Sequence, residues 1–321
     1  MKCVWSCLAA AVVAWAGTPL VFAQPYPGKP IRMVVALAGG SEGFARLVAQ
    51  KAAEDFGQPV LVETQGGAGG AMGASMVAHS APDGYTILFA ATNSQLYHGF
   101  LSRTRLYDPV KDFTPITKIG EAILCIAANP SAPYTSFREF IQYAKSNPGR
   151  VSFGTSGVGT THHLAAELIE QIAGIDMVHV PYKGGGQLLS DVVGGQIPVA
   201  FTILATAAPH VKSGKLRILA LVNNHRYRTL PDIPSVHEIL PGFEMPPGWM
   251  GYFGPAGLPA PVLARLNAEL VKVLNLPEIR ARSDDFGFAL GTSTPEELGA
   301  LLKRDLATVA KIVKAANIQP E

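Results

Sequence analysis

Two consecutive strand–loop–helix units between residues 151 and 197 constrain the fold of this chain most strongly. In the first unit, an apolar strand passes through a loop rich in Gly, Ser and Thr into a helical run at 162–173. In the second, a strand beginning at Val178 leads through Lys183 and three glycines into a helical run at 187–193. Unpaired backbone N–H groups, hydroxyls and the positive end of a helix dipole suit a small anion. We therefore expect the two loops to converge on one ligand.

The same alternation of strands and helices occupies the region before these units. The pattern predicts strands at 31–37, 60–63 and 85–90, with helices at 42–56 and 72–80. Alternation in this order is typical of a parallel α/β sheet. In such sheets, ligands bind beyond the carboxyl ends of the strands.

Two further predicted strands divide the chain. A long strand at 119–128 and a strand at 249–253 flank a self-contained α/β block, which suggests that the chain crosses twice between two domains. Domain 1 would comprise residues 24–122 plus 249–321, and domain 2 residues 123–248. The cleft between two such domains is the expected ligand site.

The remaining segments are predicted from turn and capping signals. Residues 223–247 contain Pro231, Pro234 and Pro241 and are predicted to be loop. A helix is predicted at 261–274, and Thr294 is predicted to cap a second C-terminal helix.

The length and the net charge of the chain bear on its domain number and on its partners. The chain has 321 residues, of which 48% are hydrophobic, and this length is compatible with two domains. The formal net charge is +2, without a run of basic residues. A nucleic-acid partner is not expected, since binding one requires concentrated Lys and Arg.

The N-terminus predicts export. Lys2 precedes an apolar run at 8–15, and Ala23 closes a small-residue cleavage motif before the mature chain. This pattern is typical of a signal peptide, 1–23, cleaved after Ala23. The alternative, a transmembrane anchor, needs about 20 uninterrupted apolar residues, and residues 17–19 interrupt this run. We expect a soluble protein in the periplasm.

Cysteine usage agrees with a fold held by its core. Cys3 and Cys7 lie in the predicted signal peptide, so only Cys125 remains in the mature chain. An intramolecular disulfide is then excluded. Cys125 lies in an apolar run and is interpreted as a small buried hydrophobic residue rather than a nucleophile.

Polar and glycine residues follow several strands at the same structural position, the carboxyl end. They are Ser41, Thr92, Asn93, Ser94, Thr155, Ser156, Gly157, Gly159, Thr160 and the glycines at 184–186. Each loop could simply cap its helix. Four such loops at one sheet edge favour a binding cleft instead.

Enzyme and metal motifs are weak. His163 and Glu167 are four residues apart on one helix face, next to His162, but a third zinc ligand is not evident. A capping or surface histidine pair is the favoured interpretation. The sequence lacks a G-x-S-x-G nucleophile motif. We expect neither a metal, nor a cofactor, nor catalytic activity.

Two features of the sequence each allow two interpretations. The glycine run at 66–70 lacks the lysine of a phosphate-binding loop, so flexible close packing over the cleft is favoured over direct ligand contact. Lys183 could neutralise a ligand carboxylate or could simply be solvated, and the sequence does not decide between these roles.

Several motifs spread over essentially the whole mature chain resemble one known family. They are Tyr26-Pro27-x-Lys29-Pro30-Ile31-Arg32, Gly67-Ala68-Gly69-Gly70, Ala81-Pro82-Asp83-Gly84-Tyr85-Thr86, Tyr107-Asp108-Pro109-Val110-Lys111-Asp112-Phe113, Ser156-Gly157-x-Gly159-Thr160, His179-Val180-Pro181-Tyr182-Lys183-Gly184, Pro209-His210-Val211-Lys212-x-Gly214-Lys215-Leu216-Arg217 and Pro231-Asp232-Ile233-Pro234. They resemble the periplasmic solute-binding proteins of tripartite tricarboxylate transporters, the Bordetella uptake gene (Bug) family.

The resemblance implies a fold, a ligand class and a partner. The fold would be a two-lobed type II periplasmic binding protein with an interdomain cleft. It would close on a small carboxylate, held by backbone N–H groups and hydroxyls, and deliver it to the permease subunits of a membrane transporter. The protein is expected to be a monomer.

The sequence departs from the family pattern at three places. The first loop, at 36–43, is about two residues shorter and lacks the usual prolines. Thr202 follows Phe201 where the family often has aspartate, so a plain carboxylic acid is expected rather than an amino acid. At 63–67, a cation near the cleft edge is absent.

The predicted site combines the positions implied by the family resemblance with the polar and glycine residues found at the ends of the strands. Its residues are Gly39, Gly40, Ser41, Thr92, Asn93, Ser94, Thr155, Ser156, Gly157, Gly159, Thr160, Lys183, Gly184, Gly185 and Thr202. Ser156, Thr160, Thr92 and nearby backbone N–H groups are expected to donate hydrogen bonds to a di- or tricarboxylic or aromatic acid. Two alternatives remain: an extracytoplasmic sensor for a membrane signalling protein, and a secreted hydrolase using Ser156 with His163.

Overall fold

The computed structural model describes residues 26–36 and 41–315 of the chain. The predicted signal peptide, with cleavage after Ala23, lies outside these residues, and so do Gly39 and Gly40. Within the described part, no helix is long and apolar enough to cross a membrane.

The strands form two separate sheets. They are β1 Ile31–Val35, β2 Val60–Thr64, β3 Thr86–Ala91, β4 Phe113–Ala122, β5 Leu124–Ala128, β6 Val151–Thr155, β7 Met177–Pro181, β8 Val199–Ile203, β9 Arg217–Leu221, β10 Trp249–Pro255 and β11 Phe288–Leu290. The first sheet has the order β11-β4-β10-β3-β1-β2, and the second has the order β7-β6-β8-β5-β9.

Helices connect and cover the strands. They are α1 Ser41–Phe56, α2 Ala71–Ala78, α3 His98–Leu101, α4 Phe137–Ser146, α5 Thr161–Ala173, α6 Gly185–Val193, α7 Leu204–Lys212, α8 Val236–Ile239, α9 Ala260–Leu274, α10 Pro277–Ser283 and α11 Pro295–Ala315, with a π-helical turn at Asn93–Tyr97. The cap predicted at Thr294 is confirmed, since its hydroxyl accepts a hydrogen bond from the Glu297 N–H at the start of α11. Ser136 caps α4 in the same way by accepting from the Glu139 N–H.

The parallel pairing predicted for the first three strands is confirmed. β1 pairs in parallel with β2 and β3, and β6 does so with β7 and β8. β4, β10 and β11 instead pair antiparallel with their neighbours, as β5 does with β8 and β9. Both sheets are therefore mixed, which the sequence pattern did not predict.

The single long strand predicted at 119–128 is wrong. The chain forms β4 in the first sheet and β5 in the second, and Ile123 lies between them with its N–H donating to the Gly287 carbonyl at 2.8 Å. Ile123 is 1% exposed and the strand after it is buried, whereas Glu121 and Ala122 before it are partly exposed. Gly120 and Glu121 lie inside β4 rather than at the break, so they do not mark where the chain passes from one sheet to the other.

Several short elements were missed by the sequence pattern, among them α3, α8, α10 and β11. The predicted loop at 223–247 contains α8, which begins with a capping box between Ser235 and Glu238. The helix α10 and the strand β11 follow α9 before α11. Each spans seven residues or fewer, which is too short for a clear hydrophobic period.

The two crossings between the sheets lie side by side. The Ala122 N–H donates to the Gly248 carbonyl at 3.2 Å, so the end of β4 contacts the segment that leads into β10. All strands of the first sheet fall within 24–122 or 249–321, and all strands of the second within 123–248. Division of the chain into two domains at these boundaries stays a prediction.

Each sheet has its own apolar core. In the first, Phe44 and Val48 of α1 pack with Phe89 and Leu266. In the second, Phe137, Phe153 and Phe201 belong to one buried cluster. Cys125 is fully buried, and burial raises the pKa of its thiol to about 12, which agrees with its interpretation as a small hydrophobic residue.

Candidate ligand-binding site

The loop between β6 and α5 is held by its own threonines. The Thr155 hydroxyl donates to the Gly157 carbonyl at 3.1 Å and accepts from the Gly157 N–H at 3.2 Å. The Thr160 hydroxyl donates to the same carbonyl at 2.8 Å and caps α5 by accepting from the His163 N–H at 3.3 Å. The proton of the Thr160 hydroxyl is therefore used within the loop, whereas the sequence analysis expected it to reach the ligand.

Glycines are required at two positions of this loop. Gly157 has a φ of +135° and Gly159 a φ of +71°, a region that side chains disfavour. A Cβ atom added to Gly159 would lie 2.3 Å from Cδ1 of Leu101 in α3. The loop therefore lies against an element that follows the first sheet's strand β3, and only glycine fits there.

The loop keeps backbone donors available. Among the described residues, no hydrogen-bond acceptor is present for the N–H groups of Ser156, Val158 and Thr160. The first N–H groups of α5 also lack partners within their own helix. Together with the positive end of the α5 dipole, these donors can bind an anion such as a carboxylate.

Ser156 pairs with a histidine that the sequence analysis did not assign to it. Its hydroxyl oxygen lies 3.0 Å from Nδ1 of His162. Burial lowers the pKa of His162 to about 4, so its ring is neutral near pH 7. If Nδ1 carries the proton, the Ser156 hydroxyl accepts from it and remains free to donate to a ligand.

The arrangement does not support a hydrolase that uses Ser156 with His163. His163 bonds instead to the Gly159 N–H through Nδ1, at 3.1 Å, and its Nε2 lies 3.3 Å from Glu167. Nε2 of His162 is buried without a hydrogen-bond partner, so the Ser156–His162 pair lacks the third group that orients a catalytic histidine.

Of the two interpretations of the histidine pair, capping and surface, His163 fits capping, since its Nδ1 accepts from the Gly159 N–H just before α5. His163 is 7% exposed and stacks on His179 of β7, so it is not a surface residue, whereas His162 is partly exposed. The described residues contain no group of three His, Cys, Asp or Glu side chains that could hold a metal ion.

The loop between β7 and α6 brings two more predicted residues together. A Cβ atom added to Gly185 would lie 3.9 Å from the hydroxyl oxygen of Thr202 and 3.5 Å from Cγ2 of Thr206. Thr202 is 3% exposed, and its hydroxyl lies near the first residues of α6, which Gly184 precedes as N-cap. Lys183 is exposed, without an ion pair to any described residue.

The loop after β3 approaches the same region from the first sheet. Thr92 is buried, and the Ser94 hydroxyl donates to the Ala91 carbonyl at 3.1 Å. The Tyr97 hydroxyl donates to the Pro247 carbonyl and lies beside the hydroxyls of Thr92 and Thr161. Because Thr161 begins α5, the loop after β3 and the β6–α5 loop are neighbours. Asn93 is half-buried.

The first loop contributes three predicted positions whose side chains are not described. Gly39 and Gly40 are not among the described residues, and Ser41 begins α1 without a described side chain.

The glycine run at 66–70 agrees with the close-packing interpretation. A Cβ atom on Gly70 would lie 2.0 Å from the Ala36 carbonyl oxygen at the end of β1.

Sequence reasoning missed two polar side chains near these loops. Gln95, in the π-helical turn, is fully buried, and both of its amide atoms lack a hydrogen-bond partner among the described residues. His179 lies 2.7 Å, through Nε2, from the Thr155 hydroxyl. A polar residue inside an otherwise apolar strand, as His179 is, was the available signal.

Two mixed α/β sheets joined by adjacent crossings, with glycine-rich loops at the strand ends, define a two-lobed solute-binding protein, the class of the periplasmic binding proteins among the solved structures that match. A family model described as the tripartite tricarboxylate transporter family receptor matches residues 44–318. The chain belongs to this family, which comprises substrate-binding receptors rather than enzymes.

Individual relatives align along nearly the whole chain. A UPF0065 protein of Bordetella bronchiseptica is 33% identical over 98% of this chain and 93% of its own. The structure of Rpa4515 from R. palustris with adipate has a TM-score of 0.85 at 28% identity, covering 92% of this chain and all of that one. MatC from Rhodopseudomonas palustris with bound malate has a TM-score of 0.77 at 29% identity, covering 90% and 100%.

Proposed function

We propose that this protein is a periplasmic receptor that captures a small dicarboxylate and presents it to the membrane subunits of a tripartite tricarboxylate transporter. The observation that carries the proposal is the β6–α5 loop, whose Ser156, Val158 and Thr160 N–H groups have no acceptor among the described residues. Adipate and malate, the molecules bound to two related structures, are both dicarboxylates.

The donors suffice for a useful affinity. A hydrogen bond to a charged group contributes about 1.5–3 kcal/mol, and micromolar binding corresponds to about −8 kcal/mol. Three N–H donors and the Ser156 hydroxyl therefore offset the cost of ordering a ligand in the cleft. One carboxylate would bind here, while the second would lie near Thr202, Gly185 and Lys183.

Thr202 disfavours amino-acid ligands. Its hydroxyl is neutral and lies near the start of α6, whose dipole repels an ammonium group. A ligand ammonium would therefore lack a compensating carboxylate at this position.

The proposal is tested by isothermal titration calorimetry of the mature protein with adipate, malate, citrate, benzoate and aspartate. We expect saturable binding of at least one dicarboxylate at micromolar concentration and weaker binding of aspartate. Thr202→Asp is expected to reverse this preference, whereas Thr308→Asp, at an exposed position of α11, should not. Binding of aspartate alone by the wild-type protein would contradict the proposal.

A further inference from the structure

One buried and one half-buried imidazole lie against the β6–α5 loop. His163 of α5 and His179 of β7 are stacked with their ring centroids 4.1 Å apart and an angle of 19° between the planes. Phe153 of β6 stacks on His179 with a centroid distance of 5.0 Å. The rings are therefore fixed between three elements, outside the loop itself.

The hydrogen bonds define the protonation of His163. A backbone N–H can only donate, so the 3.1 Å bond from the Gly159 N–H requires Nδ1 of His163 to be unprotonated. The proton of the neutral ring is then on Nε2, which faces Glu167 at 3.3 Å.

His179 holds the other end of the loop. When its Nε2 carries a proton, that nitrogen donates to the Thr155 hydroxyl at 2.7 Å. The hydroxyl then donates to the Gly157 carbonyl and still accepts from the Gly157 N–H. All of these bonds are made together in a single protonation state, with both imidazoles neutral.

We propose that His163 and His179 are positioning residues that hold residues 155–160 in the conformation that binds ligand, His163 by accepting from the Gly159 N–H and His179 by its bond to the Thr155 hydroxyl. The inference rests on the proposed function for its consequence in binding. It does not rest on that function for the loop conformation itself.

Gly159 explains why the loop depends on this bond. Its φ of +71° and its contact with Leu101 fix the direction of its N–H. The bond to His163 is buried, so water does not replace the imidazole as acceptor. Loss of Nδ1 as an acceptor leaves the N–H without a partner and favours a different loop conformation.

Charged groups surround the imidazole pair. Glu167 of α5 faces His163, and His179 faces it from β7, while Glu170 and Asp176 lie beyond Glu167. Burial and the neighbouring His163 lower the pKa of His179 to about 4. A proton on Nδ1 of His163 would place an N–H against the Gly159 N–H and break the bond that holds the loop.

The test compares His163→Asn, which retains an acceptor oxygen near the position of Nδ1, with His163→Leu, which does not. Amide hydrogen exchange of residues 155–161 is measured without ligand, and adipate affinity is measured at pH 7. We expect His163→Leu to accelerate exchange and to weaken adipate binding by about tenfold, the cost of one buried unpaired donor. His163→Asn should retain most of the wild-type protection and affinity.

The controls separate this inference from the proposed function. His225→Leu, at an exposed position, should leave exchange and affinity unchanged. If His163→Leu does not fold, Thr155→Val tests the bond to His179 in its place and should also accelerate exchange in the loop.

Unchanged exchange in both variants, or equal losses in the Asn and Leu variants, would overturn the inference. Failure of adipate to bind the wild-type protein would count against the proposed function, while the exchange data would still decide the loop's support.

Discussion

Single residues determine how close the two lobes come at the candidate site. Gly159 combines a left-handed backbone with a contact to Leu101 across the lobes. Gly174, at the other end of α5, has a similar φ of +62° but no atom within 4 Å of an added Cβ. The two glycines therefore separate the cost of backbone conformation from the cost of steric overlap.

Gly174→Ala is expected to destabilise the protein by about 1 kcal/mol, the cost of a left-handed alanine. Gly159→Ala should cost a further 1–3 kcal/mol or so, because the new methyl group overlaps Leu101. Urea unfolding measures both. Adding Leu101→Ala to Gly159→Ala should recover part of the difference, and equal destabilisation by the two glycine substitutions would contradict the contact.

The limits of sequence-based prediction are also visible at this scale. The positions of Ser156, Gly157 and Gly159 follow from the apolar strand before them and the helix after them. Their partners do not follow, because a threonine hydroxyl can equally cap a helix, close a turn or bind a ligand. His179 contacts Thr155 only because β6 and β7 are adjacent, and adjacency of strands is a property of the whole sheet.

At the scale of elements, the C-terminal helix α11 is hydrogen-bonded to β10, the strand by which the chain re-enters the first sheet. Asp305 of α11 is 5% exposed, and it accepts a hydrogen bond from Nε1 of Trp249, the first residue of β10, at 2.8 Å. Its other oxygen accepts from Nε of Arg304 at 3.0 Å. This contact joins α11 to the strand immediately after the second crossing.

Trp249→Phe is expected to reduce the free energy of unfolding by about 1–3 kcal/mol, because it leaves a buried carboxylate oxygen without its donor. Arg304→Gln should change it by less than about 1 kcal/mol, since the Arg304 side chain is 71% exposed. Urea unfolding of Trp249→Phe, of Asp305→Leu and of the double variant gives the coupling energy between the two side chains, and Arg304→Gln is measured beside them. A larger effect of Arg304→Gln than of Trp249→Phe would contradict this assignment.

The break between β4 and β5 could not have been predicted from the same kind of pattern. Ile123 and the strand Leu124–Ala128 after it are apolar and buried, whereas Gly120 and Glu121 before it still belong to β4. The sequence therefore indicates a buried strand without indicating where the break falls or which sheet the strand joins. The crossing is decided by pairing partners that are distant in the chain, such as Gly287, and these are available only from the fold.

At the scale of the whole molecule, buried ionisable groups make stability depend on pH. Burial lowers the pKa of His162 and of His179 from 6.5 to about 4. The unfolded chain therefore binds more protons than the folded protein between these values, and stability falls as the pH falls. Burial raises the pKa of Glu170 from 4.5 to about 7, and this group acts in the opposite direction over nearly the same range.

The two histidines lower the stability as the pH falls, and the single glutamate raises it. The effect of the two histidines is the larger, so the wild-type protein should be less stable at pH 5 than at pH 7. Each group contributes up to about 1.4 kcal/mol per pH unit. Glu170→Gln keeps an acceptor oxygen for the Met177 N–H, now bonded at 2.6 Å, while removing the opposing titration. Urea unfolding across this pH range should therefore give a steeper dependence for the variant. A shallower one would contradict the assignment of Glu170.

The central claim is that the backbone N–H groups of the β6–α5 loop bind a carboxylate. An amide chemical-shift titration of the 15N-labelled mature protein with adipate tests it most directly. The account predicts saturable downfield shifts of the Ser156, Val158 and Thr160 amide protons, with little change at the Gly159 amide, whose proton is already bonded to His163. Saturable binding that leaves the Ser156, Val158 and Thr160 amides unshifted would contradict it.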